Sequence, residues 1–66
     1  MTKIAIYRVS KDIVGVDLRG IGIGKMERVS SLSLGIKVAN RLAQQFPEAT
    51  CIEISKSILE ELSNVI

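Results

Sequence analysis

The single cysteine, Cys51, and the absence of histidine limit how this chain of 66 residues can be stabilised. A domain of this size buries only about 60% of the surface that its unfolded chain exposes, and small domains commonly add disulfides, a metal or self-association. One cysteine cannot form an internal disulfide, and one thiol without imidazole groups makes a poor zinc site. Self-association is the option left, so we expect a homo-oligomer.

The composition agrees with this expectation. Hydrophobic residues make up 47% of the chain, mean hydropathy is +0.32, and Tyr7 and Phe46 are the only aromatic residues. No stretch approaches the roughly 18 apolar residues of a membrane span, and the N-terminus lacks the apolar region of a signal peptide. With one thiol, these features predict a cytoplasmic protein in a reducing compartment, with no membrane partner and one domain over residues 1–66.

The first two segments are predicted strands. "KIAIYRV" (3–9) is rich in β-branched and aromatic residues. "IVGVDLRG" (13–20) alternates, with Val14, Val16 and Leu18 on one face and Gly15, Asp17 and Arg19 on the other. On that second face, Asp17 and Arg19 are expected to pair across solvent. The break at 10–12 is short, so an antiparallel hairpin is the simplest pairing.

A helix is predicted next, capped by Ser30 or Ser31 and ending near Phe46, before Pro47. Its apolar stripe is Leu32, Ile36, Ala39, Ala43 and Phe46, with Leu42 beside it. Within this helix, Gly35 indicates either a close packing contact or a weak point.

The last segments are a predicted strand and a short helix. "ATCIEIS" (49–55) is expected to point Ile52 and Ile54 inward. "SILE" (57–60) has the spacing of a capping box, and Ile58, Leu62 and Val65 form a short apolar stripe. The predicted fold is therefore α+β, a small three-stranded β-β-α-β-(α) domain completed by homo-oligomerisation.

"LRGIGIGKMERV" (18–29) is the segment from which function can be argued. A P-loop requires serine or threonine after its Gly–Lys pair, but Met26 follows Gly24 and Lys25; the dinucleotide-binding fingerprint also fails, because its third glycine is missing. Glycine at alternate positions is typical of a bent strand end without side chains on one face. The same bare backbone, next to cations, would also allow close approach to a sugar–phosphate chain.

The cations are concentrated in the first half of the chain. Six cationic residues against three carboxylates give residues 1–28 a charge of +3, whereas three cations against four carboxylates give residues 29–66 a charge of −1. A solvated surface would give a similar asymmetry. Because aromatic residues are so few, base stacking is disfavoured and contact with the backbone of a duplex or a structured RNA is expected.

A resemblance supports this hypothesis. "RGIGIGK", then "SLSLGIKVANRL", "IEIS" and "SILEEL", resemble the Alba superfamily of small archaeal chromatin and RNA-binding proteins over about residues 14–62. The resemblance implies an α/β fold, a dimer, and binding to double-stranded DNA or structured RNA. It would place Arg19 and Lys25 near nucleic acid, and Lys11 in a basic loop. The chain lacks the helix that this superfamily has between its first two strands.

Without histidine, the chain offers no conventional catalytic triad, and nothing in it points to an enzyme, a metal site or a cofactor. The leading hypothesis is a non-enzymatic nucleic-acid-binding homodimer. The alternative is an assembly module whose aliphatic surface binds a protein partner or itself, and a third hypothesis is an anion sensor that uses the glycine-segment amides. The predicted nucleic-acid-binding residues are Lys11, Arg19, Gly20, Gly22, Gly24, Lys25 and Arg28.

Overall fold

The computed structural model describes residues 2–64, apart from the side chain of Ile23. These residues form a four-stranded mixed sheet and two helices, which confirms the predicted α+β class. The elements in chain order are β1 (Thr2–Ser10), β2 (Ile13–Gly20), β3 (Ile23–Val29), α1 (Leu32–Gln45), β4 (Ala49–Ile54) and α2 (Lys56–Ser63).

The strands lie in the order β3-β2-β1-β4. β1 and β2 form the predicted antiparallel hairpin, and β3 continues it antiparallel to β2. After β3 the chain passes through α1 to the other edge of the sheet, where β4 runs parallel to β1. The parallel pairing is possible because a helical crossover returns the chain to the starting end of the sheet.

β3 is the element that differs from the predicted three-stranded sheet. The glycine segment is a hairpin: β2 ends at Gly20, the chain turns at Ile21 and Gly22, and β3 runs back along β2. Gly22 has a φ of 75°, in the left-handed region where glycine carries no steric penalty. The apolar alternation that marks β2 is missing from β3, since its positions 25 and 27 on the helix-bearing face are charged. The pattern therefore did not indicate a separate strand.

The core lies between the sheet and both helices. Five buried side chains come from the two central strands, and the helices add Ala39, Leu42 and Ile58; the strand members are Ile4, Ile6, Val14, Val16 and Leu18. Gly35 is a point of close approach between α1 and the sheet, because a Cβ there would lie 3.0 Å from a methyl group of Val14. Of the two interpretations of this glycine, close packing is the one observed.

The helix caps match the prediction for α1 and differ for α2. The Ser31 side chain accepts a hydrogen bond from the Leu34 amide at 3.3 Å. In α2 the cap is Ser55, whose hydroxyl accepts from the Ile58 amide, so the predicted capping box starting at Ser57 is wrong. Ser55 also donates its amide to the Ile6 carbonyl at 2.9 Å, and the helix therefore begins directly after β4.

Some predicted core positions are half-exposed. Ile52 is 49% exposed because it lies on an edge strand, and Ile36 is 39% exposed on α1. Ile54, Leu32, Ala43 and Phe46 pack against the core as partly buried side chains. Val65 of the predicted α2 stripe lies outside the described residues. Neither described helix has the length and apolar character needed to cross a membrane.

Candidate functional site

One side of the sheet carries both helices, and the opposite side, here called the open face, carries a cluster of polar side chains. Side chains of paired residues share a face. On β2, Gly15, Asp17 and Arg19 point to the open face, because alternate residues of a strand share a side. Their neighbours on this face are the residues paired with Gly15 and Asp17, which are Tyr7 and Ala5 on β1 and Arg28 and Met26 on β3. Sequence-distant groups from β1, β2 and β3 thus meet on the open face.

Tyr7 lies flat across the sheet because Gly15 has no side chain. A Cβ at Gly15 would lie 2.6 Å from a ring carbon of Tyr7, closer than real Cβ contacts. From this position the Tyr7 hydroxyl donates to Oδ1 of Asp17 at 2.9 Å. Gly15 therefore serves the cluster by leaving room for the ring.

Asp17 is the centre of the cluster. The residue is only 6% exposed, and it is the buried charged residue among those described. Arg19 donates to Oδ2 at 3.0 Å, and Arg28 donates to Oδ1 at 3.4 Å. A buried carboxylate is tolerated when such donors satisfy it. Asp17 thereby fixes two guanidinium groups on one face of the sheet.

The two arginines also flank the Tyr7 ring. The guanidinium carbon of Arg28 lies 5.5 Å from the ring centroid and that of Arg19 lies 5.9 Å away, both within cation–π range. Their side chains are 39% and 52% exposed. A guanidinium has five N–H donors, and in the described contacts Arg19 donates one hydrogen bond. Charged donors are therefore left to face solvent.

The cluster changes the pKa of its acidic groups. Burial alone would raise the pKa of Asp17, but hydrogen bonds from Tyr7 and Arg19, with the charges of Arg19 and Arg28, hold it below its ordinary value. Burial raises the pKa of Tyr7, and the hydrogen bond to Asp17 and its charge raise it further. Near neutral pH the carboxylate is therefore ionised and the phenol is protonated.

The ionisation of Tyr7 can be measured directly, since it is the only tyrosine and the chain has no tryptophan. We expect its ultraviolet absorbance to titrate above pH 10 in the folded protein. In Asp17→Asn the midpoint should fall, but it should stay above that of the urea-unfolded chain, because burial is the larger cause. A native midpoint equal to the unfolded one would contradict the described geometry.

Lys3 and Glu53 extend the open face toward β4. Lys3 Nζ donates to Glu53 Oε2 at 2.7 Å, and this pair lowers the pKa of Glu53 through the hydrogen bond and the lysine charge. Among the described strand residues paired on the open face, Lys3, Arg19 and Arg28 are the cations and Asp17 and Glu53 the carboxylates, which gives a net charge of +1. An exposed ion pair of this kind leaves the lysine available to other anions.

A depression in the open face lies over Gly24, where a Cβ would have no described heavy atom within 4 Å. We call it the Gly24 depression; its volume is about 370 Å³, and it is lined by Asp17, Leu18, Arg19, Gly24, Lys25 and Met26. Leu18 and Lys25 pair with each other on the helix-bearing face, so they border the depression through their backbone and not through their side chains. Met26 is 68% exposed. Because β3 is an edge strand, backbone groups along its outer side have no strand partner among the described residues.

The seven predicted binding residues do not form one surface. Arg19, Arg28 and Gly24 lie on the open face, while Gly20 and Gly22 are at the hairpin tip. The turn that contains Lys11 joins β1 to β2, at the other end of the hairpin.

Lys25 lies on the helix-bearing face. It pairs with Leu18, and its ammonium lies 5.5 Å from the centroid of the Phe46 ring. A groove of about 450 Å³ adjoins it between β3 and α1, where Arg41 and Glu27 form an ion pair at 2.5 Å. The sheet therefore separates Lys25 from Arg19 and Arg28, although the sequence predicts that all three belong to one nucleic-acid-binding edge.

Tyr7, Asp17 and Lys3 are site residues that the sequence interpretation did not include. The Asp17–Arg19 pair was expected, but as a solvent-exposed one. The signal that could have found the cluster is the glycine facing Tyr7 in a hairpin register, because a large ring opposite a glycine can lie across the neighbouring strand.

Comparison of the chain with known protein families, curated proteins and solved structures gave no match.

Proposed function

We propose that this protein is a non-enzymatic nucleic-acid-binding protein that contacts the sugar–phosphate backbone of structured RNA or duplex DNA through its open face. The observation that carries the proposal is that Arg19 and Arg28 both donate hydrogen bonds to Asp17. This carboxylate thereby holds the two guanidinium groups on a surface that no described helix covers. This differs from the hypothesis from the sequence, in which the bare glycine backbone of residues 18–29 (the glycine edge) makes the contact. Here the proposed contact surface is the sheet itself.

Arginine pairs fixed in this way suit phosphate groups. A planar guanidinium presents a fork of donors that matches phosphate oxygens. Ordering a long side chain on binding costs conformational entropy, and here Asp17 and the Tyr7 ring already restrict both arginines. Their half-exposed side chains keep donors on the solvent side, where a polyanion can reach them.

Alanine variants test this proposal. Arg19→Ala and Arg28→Ala are each expected to weaken binding of mixed-sequence duplex DNA or structured RNA about five- to tenfold at low salt. The loss of affinity should be similar across nucleic-acid sequences. In each variant, the slope of log K against log salt concentration should become shallower by about one, because one fewer phosphate is neutralised. Fluorescence anisotropy titrations over a salt series provide both quantities.

Lys37→Ala is the matched control, since Lys37 is an exposed cation on α1, on the helix-bearing side. The affinity of Lys37→Ala for the same nucleic acids should be almost the same as that of the native chain. Lys25→Ala distinguishes the open face from the glycine edge: the open face predicts a small effect, and the edge predicts a loss equal to that of Arg19→Ala. Absence of binding by the native chain at low salt, or equal losses in Lys37→Ala and Arg19→Ala, would refute the proposal.

The assembly module is the second candidate function, favoured by the exposed large hydrophobic side chains. These include Met26 on the open face, Val9 on β1, and Ile52, Leu59 and Leu62 on β4 and α2. The homodimer implied by the Alba resemblance belongs to both candidates and stays a prediction. Sedimentation velocity at micromolar concentration measures the oligomeric state, and a self-associating chain that binds no nucleic acid would favour the assembly module.

A further inference from the structure

We infer that the Gly24 depression accepts an unpaired nucleobase, so that the preferred ligand is a single-stranded or looped segment. This inference rests on the proposed function and specifies its substrate class. It reverses the expectation that few aromatic residues disfavour contact with bases, because the open face supplies other surfaces on which a base can stack.

The lining of the depression suits a flat, aromatic group. Its floor is the exposed backbone of Gly24, and Arg19 and Met26 stand beside it on the open face. Guanidinium planes stack on bases, and a methionine sulfur makes favourable contacts with aromatic rings. The volume of about 370 Å³ falls within the range of small-molecule sites, about 300–1,000 Å³.

Polar groups around the depression can bind the edge of a base. β3 is an edge strand, so outward backbone amides and carbonyls beside Gly24 offer donors and acceptors. Arg19 joins the two parts of the site, since it lines the depression and also belongs to the phosphate-binding pair with Arg28. A strand that lays its phosphates along the arginines would bring a base to this position.

A paired base cannot enter such a site without leaving its helix. Unstacking and unpairing a base costs free energy, and the cost is smallest for loops, bulges and single strands. The depression therefore selects against fully paired duplex, whereas the arginines alone would accept any phosphate backbone. The depression therefore determines how much more tightly the protein binds a single strand than a duplex.

Filling the depression tests the inference. In Gly24→Val the added side chain enters open space, and the backbone of Gly24 has no positive φ, so the fold should tolerate it. We expect this variant to bind an oligodeoxyadenylate about tenfold more weakly than the native chain. Its affinity for an abasic strand of the same length should be unchanged, because that strand carries phosphates but no bases.

Thr50→Val is the control, because it places an exposed valine on the other edge strand, where a hydroxyl is replaced by a methyl group. Circular dichroism and urea unfolding confirm that both variants fold. The inference fails if Gly24→Val binds oligodeoxyadenylate as the native chain does, or if it loses affinity equally for the abasic strand. It also fails if the native chain prefers duplex; a native chain that binds neither strand refutes the proposed function as well.

Discussion

Ile58→Ala is expected to destabilise the domain by about 2–5 kcal/mol, the usual cost of truncating a fully buried isoleucine. Ile58 is 1% exposed, and it is the buried residue of α2 among those described. A domain of this length has a free energy of unfolding of about 3–10 kcal/mol, so the change removes a large part of it. Urea unfolding followed by circular dichroism measures the loss.

The size of this effect follows from how α2 is attached. α2 has eight residues, too few to be stable as an isolated helix in water, and it packs against β1. Without the Ile58 side chain, the remaining contacts include the Ser55 cap and the ion pair between Arg8 and Glu61. Exposed or partly exposed ion pairs contribute little, so the helix should undock before the sheet unfolds.

Leu59→Ala is the control for Ile58→Ala. Leu59 is the next residue on the same helix and is 52% exposed, so its truncation should change the free energy of unfolding by about 0.5 kcal/mol or less. Hydrogen exchange of the α2 amides should rise in Ile58→Ala and stay at the native level in Leu59→Ala. Equal losses of stability in the two variants would show that α2 is not docked through Ile58.

Much of the fold could be predicted because burial on one side leaves a periodic signal. The alternation of Val14, Val16 and Leu18 identified β2 with its observed bounds, and the Ser31 cap with Pro47 bounded α1 closely. β1 and β4 were each found to within a residue or two. These elements place apolar residues at fixed intervals because they cover one core.

β3 gave no such signal, because edge strands need little apolar surface. Lys25 and Glu27 occupy its helix-bearing side and interact with Phe46 and Arg41 of the α1 region. The glycine spacing predicts a single bent strand, whereas Gly22 belongs to the turn and Gly24 to the next strand. The register that separates them depends on pairing with β2, which spacing alone does not specify.

The site was predicted in part for a related reason. The face of β2 that carries Gly15, Asp17 and Arg19 has the composition of a solvent-exposed surface, yet Asp17 is nearly buried there. The group that covers it, Tyr7, comes from the other strand of the hairpin and reaches it only because residue 15 is glycine. Cross-strand contacts of single side chains have no periodicity that a sequence pattern could show.

Asp17→Ala is expected to destabilise the domain by about 2–3 kcal/mol at neutral pH. The variant leaves the Tyr7 hydroxyl and two guanidinium groups without their shared acceptor, and hydrogen bonds to a charged group are each worth about 1.5–3 kcal/mol. Breaking a fully buried pair costs more, about 3–5 kcal/mol, but the arginines here are half-exposed and water can solvate them.

This loss should depend on pH in a direction that the pKa of Asp17 determines. The pKa of Asp17 is lower in the folded state than the ordinary value of 3.8. The stability that the Asp17 carboxylate contributes to the fold is therefore complete above pH 3.8, and it declines as pH falls through the folded pKa. The difference in stability between the native chain and Asp17→Ala should therefore be largest at about pH 7 and smaller at about pH 3. Urea unfolding at the two pH values measures it.

Glu53→Ala is the control for the Asp17 prediction, because Glu53 is an exposed carboxylate on the same face whose partner is Lys3. Its removal should change stability by less than about 1 kcal/mol at neutral pH. A destabilisation by Asp17→Ala as small as that of Glu53→Ala would mean that the two arginines do not depend on Asp17. The phosphate-binding proposal requires that dependence, since the carboxylate is the group that holds both guanidinium groups at one place on the open face.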